Sequence, residues 1–180
     1  MAGYSRPAVA RIFGVPALGG LLFGWDIGAT SYVLTQLQSA EYSGVSWSGA
    51  VAGSSFLQGL ITSGGVAGAL IGAAIVFRVA DAIGRRRELI LAALLYLAGA
   101  VLEVASGFGT TEATGLALLL LGRLVYGAAC GFAMHGAPAY IAEMSPASIR
   151  GTLVSLKEAA IVLGICLGSV SYTHLRAHET

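Results

Sequence analysis

The chain has 180 residues, 56% of them hydrophobic and only 11% charged, with a formal net charge of +1 and a mean hydropathy of +0.80. A soluble domain carries about 25% charged residues, so this chain lacks the polar surface to cover a globule in water. Its near-neutral charge offers no basic face to a nucleic-acid partner. The 26 glycines suit closely packed membrane helices, and the expected class is an all-α polytopic membrane protein in contact with a lipid bilayer.

Apolar windows of about 20 residues predict five spans, near Ile12–Leu37, Ala50–Val79, Leu89–Ser106, Gly115–Ile141 and Thr152–Val170. Residues 1–11 read as an N-terminal tail. The first apolar run follows Arg6 and Arg11 as the core of a signal peptide would. It outlasts the ~7–15 residues of such a core and has no clear cleavage site, so it reads as a transmembrane helix. Arg78, Arg85, Arg86 and Arg87, joined by Arg150 and Lys157, mark one side of the membrane, whereas the loops holding Glu41 and Glu112 contain no Lys or Arg. Basic residues face the cytoplasm, which predicts a cytoplasmic N-terminus, or its topological equivalent in an organelle.

Asp26 lies inside the first span and Arg123 inside the fourth. A charge at bilayer depth costs roughly 2.5–3.5 kcal/mol on insertion scales, so both are expected to face the protein interior. Helical periodicity agrees. Gly19, Phe23, Asp26 and Thr30 share a face of the first span, and Arg123 shares one with Gly127 and Gly131. Gly64, Gly68 and Gly72 form a matching stripe on the second span, and such small-residue stripes mark helix contact faces. An acid and a base on different helices suggest a pair that a proton could break.

Other polar residues have plainer readings. Cys130 and Cys166 lack metal-ligand spacing and read as small buried hydrophobes. Glu103 is expected to reach the outer interface, and Lys157 to snorkel to the inner one. His135 could titrate near neutrality or simply pack or cap a helix. Tyr96, Tyr126 and Tyr140 read as packing or membrane-belt residues, with pore lining as the alternative. No cofactor or metal set is expected, His174 and His178 included. No nucleophile–base pair is present either, so an enzyme is the least favoured class.

Two loops carry longer patterns. Between the second and third spans, Arg78-Val-Ala-Asp81-Ala-Ile-Gly84-Arg85-Arg86-Arg87 is at the least a topology anchor, with Gly84 able to stop a helix. Pro138-Ala-Tyr140-Ile-Ala-Glu143-Met-Ser-Pro146-Ala-Ser-Ile-Arg150-Gly151 closes the fourth span and opens the fifth. Ser145 is expected as N-cap, Pro146 as first helical residue, and Glu143 and Arg150 as a pair across the turn.

The spacing of Asp81, Gly84, Arg85 and Arg86 resembles the loop signature of the major facilitator superfamily, with Phe77 where that signature has glycine. The second string, with Glu143 and Arg150, resembles the sugar-porter family within it. Gly19-Gly20-Leu21-Leu22-Phe23-Gly24-Trp25-Asp26 is similar to that family's opening helix, with Trp25 where tyrosine is commoner. Residues 87–96 and 133–138 resemble a plant xylose–proton symporter-like group associated with plastids. The resemblance covers about residues 12–170 and implies the first five helices of a twelve-helix fold, in its N-terminal half-bundle. It also implies that Asp26 takes the coupling proton, that Arg123 is its partner and that Phe23 contacts sugar. Glu158 falls where a bacterial relative uses a sugar-binding glutamine. An ionised carboxylate accepts hydrogen bonds but donates none, so that departure bears on which sugar is bound.

The function so implied is proton-coupled transport of a monosaccharide, hexose or pentose, by alternating access. The chain is expected to be an incomplete fragment that partners the missing C-terminal half of the same protein and does not transport alone. A non-transporting sugar sensor on the same fold is the alternative, and an assembly role a third. The membrane could be plastid envelope, vacuolar or plasma membrane. Residues 171–180 match neither the apolar helix nor the family pattern and read as an appended tail.

Overall fold

A computed structural model describes residues 6–39 and 43–177. Glu41, in the loop read as free of basic residues, and His178 fall outside these. Five long helices dominate: α1 (Arg6–Leu37), α2 (Ser55–Ile83), α3 (Arg85–Ser106), α4 (Glu112–Met144) and α5 (Ala147–Ala177). Each contains a stretch long and apolar enough to cross a bilayer. Large apolar side chains such as Val66, Leu70, Leu97 and Val104 point outward, as lipid-facing residues do.

The helix ends follow local chemistry. The second apolar window splits at Gly53 and Ser54, because the Ser54 hydroxyl accepts from the Leu57 amide and caps α2. The residues before it form a separate turn of helix, Ser48–Ala52. Thr111 and Thr114 cap the start of α4 reciprocally. Gly84, at φ 78°, joins α2 to α3 in a single residue. Arg85, Arg86 and Arg87 therefore belong to the first turn of α3, not to a loop. Ser145 does not act as the expected N-cap, since its hydroxyl has no hydrogen-bond partner among the described residues. The Pro146 carbonyl accepts from the Ile149 and Arg150 amides instead, so Pro146 precedes the helix and does not open it. The apolar part of α5 ends at Val170, but its backbone stays helical through Ala177, with no Gly or Pro between to interrupt it.

α4 is the central element: it packs along α2 and α3 and touches α1, while α5 packs along α1. Glycines set these distances. A Cβ on Gly127 would strike the Gly65 carbonyl and one on Gly68 the Leu124 carbonyl, while Gly72 and Gly131 close the same α2–α4 contact. Gly24, Gly28, Gly164 and Gly168 do the same between α1 and α5. In a membrane, where lipid removes the hydrophobic drive, such close backbone approach holds helices together.

The two ends of the bundle are separately tied. At one, Trp47 is buried beside Gly115 and donates to the Ser106 carbonyl at 3.3 Å. At the other, Arg85 on α3 meets Glu143 on α4. The arginine-rich turn and the Glu143–Arg150 turn thus share an end, opposite the Gly107–Thr111 loop.

Candidate functional site

Asp26 and Arg123 meet between α1 and α4. One guanidinium nitrogen lies 2.5 Å from Asp26 Oδ1, and the other lies 3.4 Å from Oδ2 and 2.9 Å from Thr30 Oγ1. Thr30 donates in turn to the Asp26 carbonyl at 2.7 Å, so the threonine hydroxyl is committed in both directions. The face shared by Asp26 and Thr30 at i,i+4 is what lets one arginine engage both. Arg123 has this position because α2 presents glycine to it. A Cβ on Gly65 would lie 3.1 Å from its guanidinium and one on Gly64 3.2 Å from its own Cβ. The Arg123 side chain is 9% exposed and that of Asp26 17%, as expected for charges kept away from lipid.

The pair lines a cavity of about 530 Å³ bordered by α1 through α4, with Trp25, Thr30, Tyr96, Glu103 and Tyr126 among its walls. Pockets of roughly 300–1,000 Å³ suit small ligands. Tyr96 and Tyr126 stack edge to face, ring centres 4.8 Å apart. Tyr126 donates to the Leu22 carbonyl at 3.2 Å, and Tyr96 to the Cys130 sulfur at 3.4 Å. Among the described residues, Arg123 Nε and Glu103 Oε1 are buried without a hydrogen-bond partner. The site therefore keeps one donor and one acceptor that the protein does not satisfy.

Several sequence readings change here. Glu103 does not leave for the interface: its carboxylate turns inward, 3.7 Å from Arg123. Tyr96, Ala100 and Glu103 follow a single helix face, which by itself does not choose between the interface and the interior. Tyr96 and Tyr126 do line the cavity. Phe23 does not; it packs against the cluster of Tyr96, Phe132 and Ala133. Glu158 is also apart, with its side chain 59% exposed and bonded to Lys157 Nζ at 2.6 Å. Lys157 does not snorkel; it is buried, its stem lying over Gly20. Cys130 is buried and Cys166 exposed.

A second polar cluster sits at the arginine-rich end. Arg85 reaches Glu143 at 3.0 Å, Asp81 at 3.3 Å and Glu88 at 3.6 Å. The expected Glu143–Arg150 pair does not form, because Arg85 takes Glu143 and Arg150 bonds the Ser145 carbonyl at 3.4 Å. Among the described residues, Arg86 forms no ion pair in this cluster. Glu88 is wholly buried and bonds His135 Nδ1 at 2.7 Å, with Phe77 edge-on to the imidazole at 5.1 Å. Glu88 is a residue the sequence reading passed over. Its signal was a lone acid directly behind three arginines.

Known proteins resemble this chain in sequence and in fold. Residues 13–179 match the family model described as "Sugar (and other) transporter". D-xylose-proton symporter-like 2 of Arabidopsis thaliana is 52% identical over 92% of the chain and 31% of its own length. D-xylose-proton symporter-like 3, chloroplastic, of the same plant is 53% identical over 92% of the chain and 28% of its own. The chain thus spans less than a third of these relatives. Among solved structures, the major facilitator superfamily proton:xylose symporter XylE bound to 6-bromo-6-deoxy-D-glucose superposes with a TM-score of 0.79 at 31% identity, over 96% of this chain and 38% of that one. The chain is a multi-pass integral membrane protein, and it belongs to the sugar (and other) transporter family of the major facilitator superfamily.

Proposed function

We propose that this chain supplies the first five helices of a proton-coupled monosaccharide transporter, with Asp26 as the protonated residue and Arg123 as its partner. The observation that carries this reading is the two-pronged Asp26–Arg123 contact inside a cavity that also holds unsatisfied polar groups. An ion pair shut between helices is a two-state element. Protonating Asp26 releases Arg123, and the two forms can favour different access states. The relatives named for xylose and proton support a sugar substrate of pentose or hexose size.

Transport by alternating access needs a second half for this bundle to rock against, so the remaining helices of the family fold are the natural partner. Glu158 and Phe23 would meet sugar only from a surface that those helices complete, and the exposure of Glu158 is compatible with that. The turn bearing Asp81, Gly84, Arg85 and Arg86, together with Glu143 and Arg150, would then face the cytoplasm or its equivalent.

The test is uptake into proteoliposomes by the full transporter that begins with these helices. Asp26→Asn is expected to abolish uphill accumulation of xylose while leaving some exchange across equal concentrations. Undiminished uphill uptake by that variant would refute the role of Asp26. Sugar binding by the unmutated protein with no movement of sugar would favour a sensor instead.

A further inference from the structure

Glu103 is a carboxyl in the cavity that the Asp26–Arg123 pair does not explain. The Arg123 nitrogen that bonds Asp26 Oδ1 at 2.5 Å is also the one that lies 3.7 Å from Glu103 Oε1. That oxygen is buried without a hydrogen-bond partner among the described residues, as is Arg123 Nε. The stem of Glu103 rests on Gly122, where a Cβ would come within 2.7 Å of its Cγ. The site is thus shaped to admit this side chain. The groups around it are Asp26 and Thr30 from α1, Tyr96 on its own helix, and Arg123 and Tyr126 from α4. α2 presents Gly64 and Gly65 to Arg123 and the apolar Ile61 to the cavity.

Formal charge makes the arrangement informative. Two carboxylates and one guanidinium sum to −1, and the cluster is neutral only with one proton on one of the carboxyls. In a low-dielectric site net charge is costly. Resting on the proton-coupled reading above, we propose that Glu103 is a second proton-carrying carboxyl of the translocation site and that Arg123 is handed from Asp26 to Glu103 when Asp26 takes up a proton. The step balances within the site, the cluster's one proton passing from Glu103 to Asp26. An O–H bond breaks on Glu103 and one forms on Asp26, the N–H···Oδ1 contact breaks, an N–H···Oε1 contact forms, and the cluster stays neutral. Proton transfer would then exchange a tie between α4 and α1 for one between α4 and α3.

The test is an infrared pH titration of the membrane-embedded transporter, following the carbonyl stretch of protonated carboxyls. Unmutated protein, Asp26→Asn, Glu103→Gln and the double variant are compared. The expected result is that Asp26→Asn keeps a titrating band that the double variant lacks. Residual sugar exchange should change at least about fivefold with pH in Asp26→Asn and less than about twofold in the double variant. Identical titrations with and without Glu103→Gln would overturn the proposal and leave Glu103 a fixed counter-charge. Glu103→Asp, which keeps the carboxyl, guards against a variant that fails to insert: it should move the band, and an unmoved band would also overturn the proposal. The infrared signal needs no sugar. Both bands without any transport would therefore sink the transport reading and leave the second carboxyl standing.

Discussion

Two arginines organise the polar chemistry of this chain, and their surroundings differ sharply. Arg123 sits between helices with its side chain 9% exposed, facing two carboxylates that are themselves mostly covered. Arg85 sits at the helix ends, 23% exposed, holding Asp81, which is 95% exposed, and Glu143, which is 55% exposed. The ingredients are the same, but water screens one set and not the other. Exposed pairs contribute little, whereas removing one partner of a buried pair leaves an uncompensated charge. Arg123 is therefore suited to a step that makes and breaks an ion pair, and Arg85 to holding an end of the bundle. Glu88 is the exception within the Arg85 cluster, because it is wholly buried and bridges to His135 on α4.

The largest effect is expected from Arg123→Ala, which strands Asp26 and Glu103. It should destabilise the protein by about 3–5 kcal/mol at neutral pH. The loss should shrink on acidification, when protonated carboxyls no longer need the cation. Thermal unfolding in detergent at two pH values checks both parts, and equal losses at both would show that Arg123 does not act by neutralising buried carboxylates. Glu88→Gln comes next. It keeps an acceptor for His135 but loses the charge facing Arg85, and about 1–3 kcal/mol should be lost in the same assay. Asp81→Asn, on the exposed side of the same arginine, should leave the unfolding temperature unchanged. A loss for Asp81→Asn as large as that for Glu88→Gln would show that burial is not what separates the members of this cluster.

Much of the fold was legible because the bilayer imposes length and apolarity on each span, and because glycine stripes declare where backbones touch. Gly68, Gly72, Gly127 and Gly131 lie where their four-residue spacing put them. Asp26 and Arg123 were legible for the same reason: a charge at bilayer depth has few places to go. Glu103 was not, because a charge near a helix end has two outlets, the interface or the interior. Only the approach of Arg123 from α4 decides between them. Partner choice at the turns was equally hidden. Arg150 lies near Glu143 in sequence, but Arg85 reaches that carboxylate across the α3–α4 contact. Lys157 was misread because the stem length that permits snorkelling equally permits burial over a glycine, here Gly20.

The most direct test of the central claim, that Asp26 carries the coupling proton, is sugar-driven proton movement. Xylose is added to unbuffered proteoliposomes holding the full transporter, and the external pH is followed. The unmutated protein should alkalinise the outside as sugar and protons enter together, and Asp26→Asn should give no pH change while still exchanging sugar. Alkalinisation by Asp26→Asn equal to that of the unmutated protein would contradict proton coupling at Asp26.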